Sequence, residues 1–229
     1  MPGPLQPPSS QLRLGGYVLA GGRSSRMGTD KAHLQLAGQP LIAHATAKLC
    51  RLCAEVHILA GEDPAAFATD AARTAPLAAH APLVFDLHPN CGPIAGIEAA
   101  LAHSPHPWNL ILPVDMPFLP AAFLHGWVQE VLHRPQARVA MFEVAGRTQS
   151  MPLLIHRAAR PHLTRAIERR DYTLLTALLA AAAELGAAPD TSASPQPERE
   201  RWFANINTPE QFADANQRAE THIDALDPL

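Results

Sequence analysis

Val18-Leu19-Ala20-Gly21-Gly22-Arg23-Ser24-Ser25-Arg26-Met27-Gly28-Thr29-Asp30-Lys31 is the stretch on which the reading of this chain turns. Residues 17–20 are a short apolar run that stops at two glycines, as a buried parallel strand does where it runs out into a loop. Gly21 and Gly22 have no Cβ, so the backbone there can approach a ligand closely and aim successive N–H groups at one anion. Arg23, Arg26 and Lys31 add fixed positive charge around that backbone. Together these groups make a polyphosphate site. Gly22 and Gly28 enclose five residues, and the lysine comes three after Gly28. That spacing fits neither the G-x-x-x-x-G-K-[ST] loop nor the dinucleotide G-x-G-x-x-G loop.

Further along, Pro40 is placed to open a helix whose apolar face is Leu41, Ile42, Ala45, Leu49 and Leu52, and a strand over residues 56–60 follows. A strand, helix and strand in this order imply a parallel pair joined by a crossover. The Ala-rich residues 62–80 predict a helix, and residues 82–86 a third strand ending in Asp86. Asn90-Cys91-Gly92-Pro93 then turns into a helix with proline at a favoured first position. Residues 109–114 are an apolar strand ending in Asp115-Met116-Pro117. Ligands of open parallel sheets bind outside the carboxyl ends of the strands, where Gly21, Asp86, Gly92 and Asp115 all fall. Four segments are thereby expected on one crevice.

The remaining chain predicts a core-facing helix after Pro120 and a strand pair, 138–144 and 151–156, joined through Gly146. Arg165, Arg169 and Arg170 read equally as an anion-binding patch or a solvated helix face. Residues 186–200 predict a mobile surface segment, and residues 202–207 a last strand. Thr208-Pro209-Glu210-Gln211 has the form of a capping box that opens the final helix.

With 229 residues, 47% of them hydrophobic, the chain can bury one sizeable α/β core over residues 14–221, between a flexible lead-in at 1–13 and a tail at 222–229. A net charge of −3 provides no global attraction to nucleic acid or to an anionic membrane. Neither an apolar run of transmembrane length nor a secretory leader pattern is present in the sequence, which predicts a cytoplasmic protein. Three cysteines are too few for a disulfide framework, and Cys50-x-x-Cys53 lies in a helical pattern that predicts two small buried residues. Twelve histidines share no metal-ligand spacing that would build a zinc site. Of 18 basic residues only Lys31 and Lys48 are lysines, so the compact charge at the end of the glycine loop is a selective choice.

The pattern L-A-G-G-x-S-x-R-M-G-x-D-K, residues 19–31, resembles the signature loop of nucleotidyltransferases, and among these is most similar to the molybdenum cofactor guanylyltransferase family. The resemblance is also carried by Gly92-Pro93-Ile94-Ala95-Gly96, Asp115-Met116-Pro117 and Asn205-Ile206-Asn207-Thr208-Pro209. It implies a three-layer α/β/α Rossmann-like fold with a mostly parallel sheet. The implied reaction is transfer of GMP from GTP to the terminal phosphate of molybdopterin, with pyrophosphate released. It also implies Mg²⁺ held by Asp115 and catalysis by Arg26, Lys31 and Asp115. The nucleotide would be bound by Leu19, Ala20, Gly21, Gly22, Lys31, Asp86, Gly92 and Asp115, and the acceptor by Gln149, Asn205 and Asn207. Molybdoenzymes or other cofactor-biosynthesis proteins would be the partners. The chain departs from the family at Leu59-Ala60-Gly61, where an asparagine can contact the nucleotide. The alternatives are a cytidylyltransferase of the same cofactor, a sugar-phosphate nucleotidyltransferase, and a nucleotide-binding sensor or adaptor without turnover.

Overall fold

A computed structural model describes residues 12–20, 31–61, 79–186, 190–192 and 200–221. Gly21, Gly22, Arg23 and Arg26 lie outside the described residues, as does the expected tail. Of the helix expected over 62–80, only residues 79 and 80 are described, and they form a turn.

Seven strands form one sheet: β1 (Leu12–Leu19), β4 (Cys53–Gly61), β5 (Leu83–Phe85), β6 (Trp108–Pro113), β7 (Val139–Val144), β8 (Arg147–His156) and β9 (Asp190–Ser192). Their order is β5-β4-β1-β6-β8-β7-β9, and a small hairpin of β2 (Gln35–Leu36) and β3 (Gln39–Pro40) stands apart. β1 is parallel to both β4 and β6, β4 is parallel to β5, and β9 is parallel to β7. Only β8 runs antiparallel to its neighbours.

Helices cover both faces. One layer holds α1 (Leu41–Leu52), α3 (Ala121–Leu132) and α6 (Pro209–Thr221), packed with Leu14, Val18, Ile58, Leu110 and Leu112. The other holds α2 (Pro93–His103), α4 (Arg160–Glu168) and α5 (Leu174–Glu184), packed with Tyr17, Leu59 and Ile111. Successive strand residues thus feed opposite cores, which is why the inner strands read as continuous apolar runs. Glu98 of α2, almost fully buried, accepts hydrogen bonds from Arg160 Nε at 2.8 Å and Thr164 Oγ1 at 3.1 Å, and so ties α2 to α4.

The structure differs from the sequence reading in several places. Leu12 and Arg13, assigned to the lead-in, belong to β1. Gly15 and Gly16 interrupt the apolar pattern there because the strand is hemmed in. A Cβ on Gly15 would stand 2.7 Å from Asn109 Oδ1 and 2.9 Å from Ser104 Oγ, and one on Gly16 would stand 2.8 Å from Cys53 Sγ. Cys53 is buried but begins β4, and Cys50 is exposed on α1, so the pair is not two buried helical residues. β8 starts at Arg147, which brings Gln149 into the strand. Residues 190–192, expected in a mobile segment, pair in register with Ala140, Met141 and Phe142 and occupy the β7 edge.

The expected last strand over 202–207 is absent: a 3₁₀ turn (Arg201–Phe203) leads into irregular chain. Its apolar residues plug a core instead of pairing. Phe203 lies 4.9 Å from Phe142 and 5.9 Å from Phe123 between ring centroids, and Ile206 is buried. The capping box is formed. Gln211 N donates to Thr208 Oγ1, and Gln211 Oε1 accepts from Thr208 N at 3.1 Å. Among the described residues no helix is long and apolar enough to cross a membrane.

Candidate active site

β1 and β6 end side by side, with Leu19 opposite Pro113. Val114 N donates to the Leu19 carbonyl and Ala20 N to the Leu59 carbonyl, each at 3.3 Å, so the chain leaves the sheet at a fixed point just before the glycine loop. It is described again at Lys31, the first residue of a 3₁₀ turn (Lys31–His33) pinned by buried Ala32. Leu34 N bonds back to the Lys31 carbonyl at 3.1 Å. Both ends of the loop are therefore anchored in the core.

The Lys31 ammonium lies 3.4 Å from Asp115 Oδ2 and 2.5 Å from Asn207 Oδ1. Asp115 lies two residues beyond β6 among buried Val114, Met116 and Phe118, with its own side chain 21% exposed. Burial raises the Asp115 pKa above the ordinary carboxylate value, and the Lys31 charge beside it offsets part of that rise. The Asp115 carbonyl also accepts Ile206 N at 2.9 Å, which fastens the segment before α6 onto the end of β6.

Lys48 is a residue that motif reading missed. It sits on α1, is 3% exposed, and donates to the Pro117 carbonyl. Both lysines of the chain therefore end on the Asp115–Pro117 loop, one on a side chain and one on the backbone. Their rarity in an arginine-rich sequence was the signal that marks the second as well as the first.

Asp86 lies one residue beyond β5, with its N–H bonded to the Gly61 carbonyl at 3.0 Å. Its Oδ1 and Leu19 Cδ1 meet over Gly96, 3.4 and 3.5 Å from where a Cβ on that glycine would stand. Gly96 is in the first turns of α2, and Gly92, at φ 73°, caps that helix before Pro93. The N-terminus of α2 therefore opens on the same sheet edge, beside Asp86. Gln149 is carried to that edge too: β8 pairs Leu153 with Ile111 of β6, so Gln149 lies past the β6 end. No hydrogen bond or ion pair links Gln149 to the Lys31 cluster among the described residues. Asn205 Oδ1 is buried, with no hydrogen-bond partner among the described residues. Arg165 pairs with Glu184 between α4 and α5, away from this edge.

An ammonium, a carboxylate and a helix N-terminus at the carboxyl edge of a parallel sheet can orient a polyphosphate and neutralise charge on it. Molybdenum cofactor guanylyltransferase of Pseudomonas paraeruginosa is 35% identical over 217 residues, covering 93% of this chain and 97% of that protein. The Vibrio cholerae protein of the same name is 29% identical over 198 residues, covering 86% and 88%. In fold, the chain resembles molybdopterin-guanine dinucleotide biosynthesis protein A of Archaeoglobus fulgidus, with a TM-score of 0.72 at 22% identity over 91% of this chain and 100% of that one. It also resembles 2-C-methyl-D-erythritol 4-phosphate cytidylyltransferase of Thermus thermophilus, with a TM-score of 0.57 at 17% identity over 89% and 98%. Residues 16–188 match the MobA-like NTP transferase domain, and the chain is a nucleotidyltransferase that belongs to that family.

Proposed function

We propose that the protein transfers GMP from GTP to the terminal phosphate of molybdopterin and releases pyrophosphate. The convergence of Lys31, Asp115 and Asn207 beside the anchored ends of the glycine loop carries this reading. The names of relatives that span nearly the whole chain support the choice of substrates. The bond formed joins an acceptor phosphate oxygen to the α-phosphorus of GTP, and the bond broken joins that phosphorus to the β-bridging oxygen. The acceptor phosphate is already an anion at neutral pH, so no side chain has to remove a proton. Catalysis then rests on alignment and charge neutralisation.

In this reading the Gly21 and Gly22 backbone and the α2 N-terminus after Gly92 hold the triphosphate, with Leu19, Ala20 and Asp86 beside the nucleoside. Arg26 and Lys31 offset charge on the transferring and leaving phosphates. A divalent cation suits Asp115, a single hard carboxylate from which Lys31 stands off at 3.4 Å and which leaves most positions to phosphate oxygens and water, as Mg²⁺ prefers. When bound, the ion supplies Lewis-acid stabilisation of phosphate charge. Gln149 and Asn205 form the acceptor side. Asn207 shares that edge, but its Oδ1 is taken by Lys31.

Incubation with Mg²⁺, molybdopterin and either GTP or CTP, with the product identified by mass, tests the assignment. The guanine dinucleotide and pyrophosphate are expected. In parallel, GTP with Mg²⁺ is expected to raise the melting temperature clearly and CTP little. A hundredfold excess over Kd stabilises a native state by about 2.7 kcal/mol. A cytosine product, or an equal shift with CTP, overturns the guanylyl assignment.

A further inference from the structure

We infer that Asn207 is a positioning residue for Lys31. The role rests on Lys31 being the charge-neutralising group proposed above.

The Asn207 amide oxygen is 2.5 Å from the Lys31 ammonium, nearer than the Asp115 oxygen at 3.4 Å. A relaxed ammonium–carboxylate pair closes to about 2.7–2.9 Å. Lys31 is therefore held back from Asp115 by a neutral acceptor, leaving the carboxylate available to a cation while the ammonium stays beside it. An amide suits this place. A second carboxylate would neutralise Lys31 and repel an incoming triphosphate. A hydrogen bond to an amide fixes the ammonium without cancelling its charge.

Asn207 is itself fixed from two sides. Gln211 Oε1 accepts its backbone N–H at 2.7 Å, and the preceding Ile206 N–H bonds the Asp115 carbonyl at 2.9 Å. The capping box of α6 therefore has a second task. Through Asn207 it aims a lysine 176 residues earlier in the chain. With its oxygen on Lys31, the Asn207 amide plane is oriented by the lysine.

Labelling with an amine-selective reagent at fixed pH, mapped by peptide mass, tests the tether without reference to turnover. Only Lys31 and Lys48 are lysines, and the buried Lys48 serves as the internal control for an intact fold. Asn207→Ala is expected to speed labelling of Lys31 by about tenfold, as loss of a hydrogen bond to a charged group frees it, with Lys48 unchanged. Asn207→Asp should keep Lys31 protected. In turnover, Asn207→Ala should lower kcat about tenfold without raising the acceptor KM. Lys31→Ala with Asn207→Ala should be no slower than Lys31→Ala alone. Unchanged labelling in Asn207→Ala, a raised acceptor KM at constant kcat, or multiplying effects of the two substitutions would each overturn the inference. Absence of any guanine product from the wild-type protein would defeat the proposed function instead, and the labelling result would still decide the tether.

Discussion

Replacing Lys31 by alanine is the sharpest perturbation of the site. Lys31 is only 17% exposed in its side chain and lies 3.4 Å from Asp115, so its charge acts in a partly desolvated place. Two unit charges at that separation interact by about 5 kcal/mol at an effective dielectric constant near 20. A phosphate oxygen at similar reach would feel a comparable field, part of it already present when the triphosphate binds. The share specific to the transition state is about 3 kcal/mol, as for loss of one preorganised donor. That corresponds to a fall of about 150-fold in kcat. Pyrophosphate release under saturating GTP, Mg²⁺ and molybdopterin measures it, with the melting temperature as the control for folding. Lys31→Arg should recover little, because a planar guanidinium does not place a compact charge between Asn207 and Asp115. A loss below about tenfold, worth 1.4 kcal/mol, or an effect confined to KM, would refute the argument.

Asp115→Asn should abolish turnover at every Mg²⁺ concentration while leaving the melting temperature unchanged or higher, because burial disfavours the charged carboxylate it removes. Near-normal turnover at saturating Mg²⁺ would exclude the metal role. Gly15→Ala should cost about 1–3 kcal/mol of unfolding free energy by denaturant titration, since its Cβ would meet Asn109, fully buried in β6, at 2.7 Å. An unchanged midpoint would show that β1 and β6 can separate freely. Burial lowers the folded-state pKa of His44, His57 and His156, so each takes up a proton less readily in the fold than in the unfolded chain, which protonates near pH 6.5. Their contribution is complete above that pH and is lost as pH falls toward the folded values. The melting temperature should therefore drop between pH 7.5 and 5.5, and a flat profile would contradict the three burial effects together.

The crevice was legible in the sequence because each of its strands carries its own signal. Apolar runs stop at Ala20, Asp86 and Asp115, and a parallel sheet sends all such ends to one edge. Gly92-Pro93 marks a helix start by local geometry alone. Long-range competition was not legible. The run Trp202-Phe203-Ala204-Asn205-Ile206 has strand composition, yet residues 190–192 had already taken the β7 edge, and Phe203 and Ile206 were drawn into the core under α3. Cys50 and Cys53 fit a helical period that ends at Leu52, where the chain turns into β4. The bond between Lys31 and Asn207 had no local signature, since nothing near either residue specifies the other.

That bond also places the site in time. A growing chain makes Lys31 early and Asn207 late, so a contact across 176 residues can close only after every strand of the sheet has been made. Ile206, bonded to the Asp115 carbonyl, and the α6 cap lie in the same late-made segment. A chain clipped before Ile206 would retain every strand of the sheet and the entire glycine loop, yet its Lys31 would keep only the Asp115 contact. The segment that carries the last helix therefore also completes the partners of Lys31.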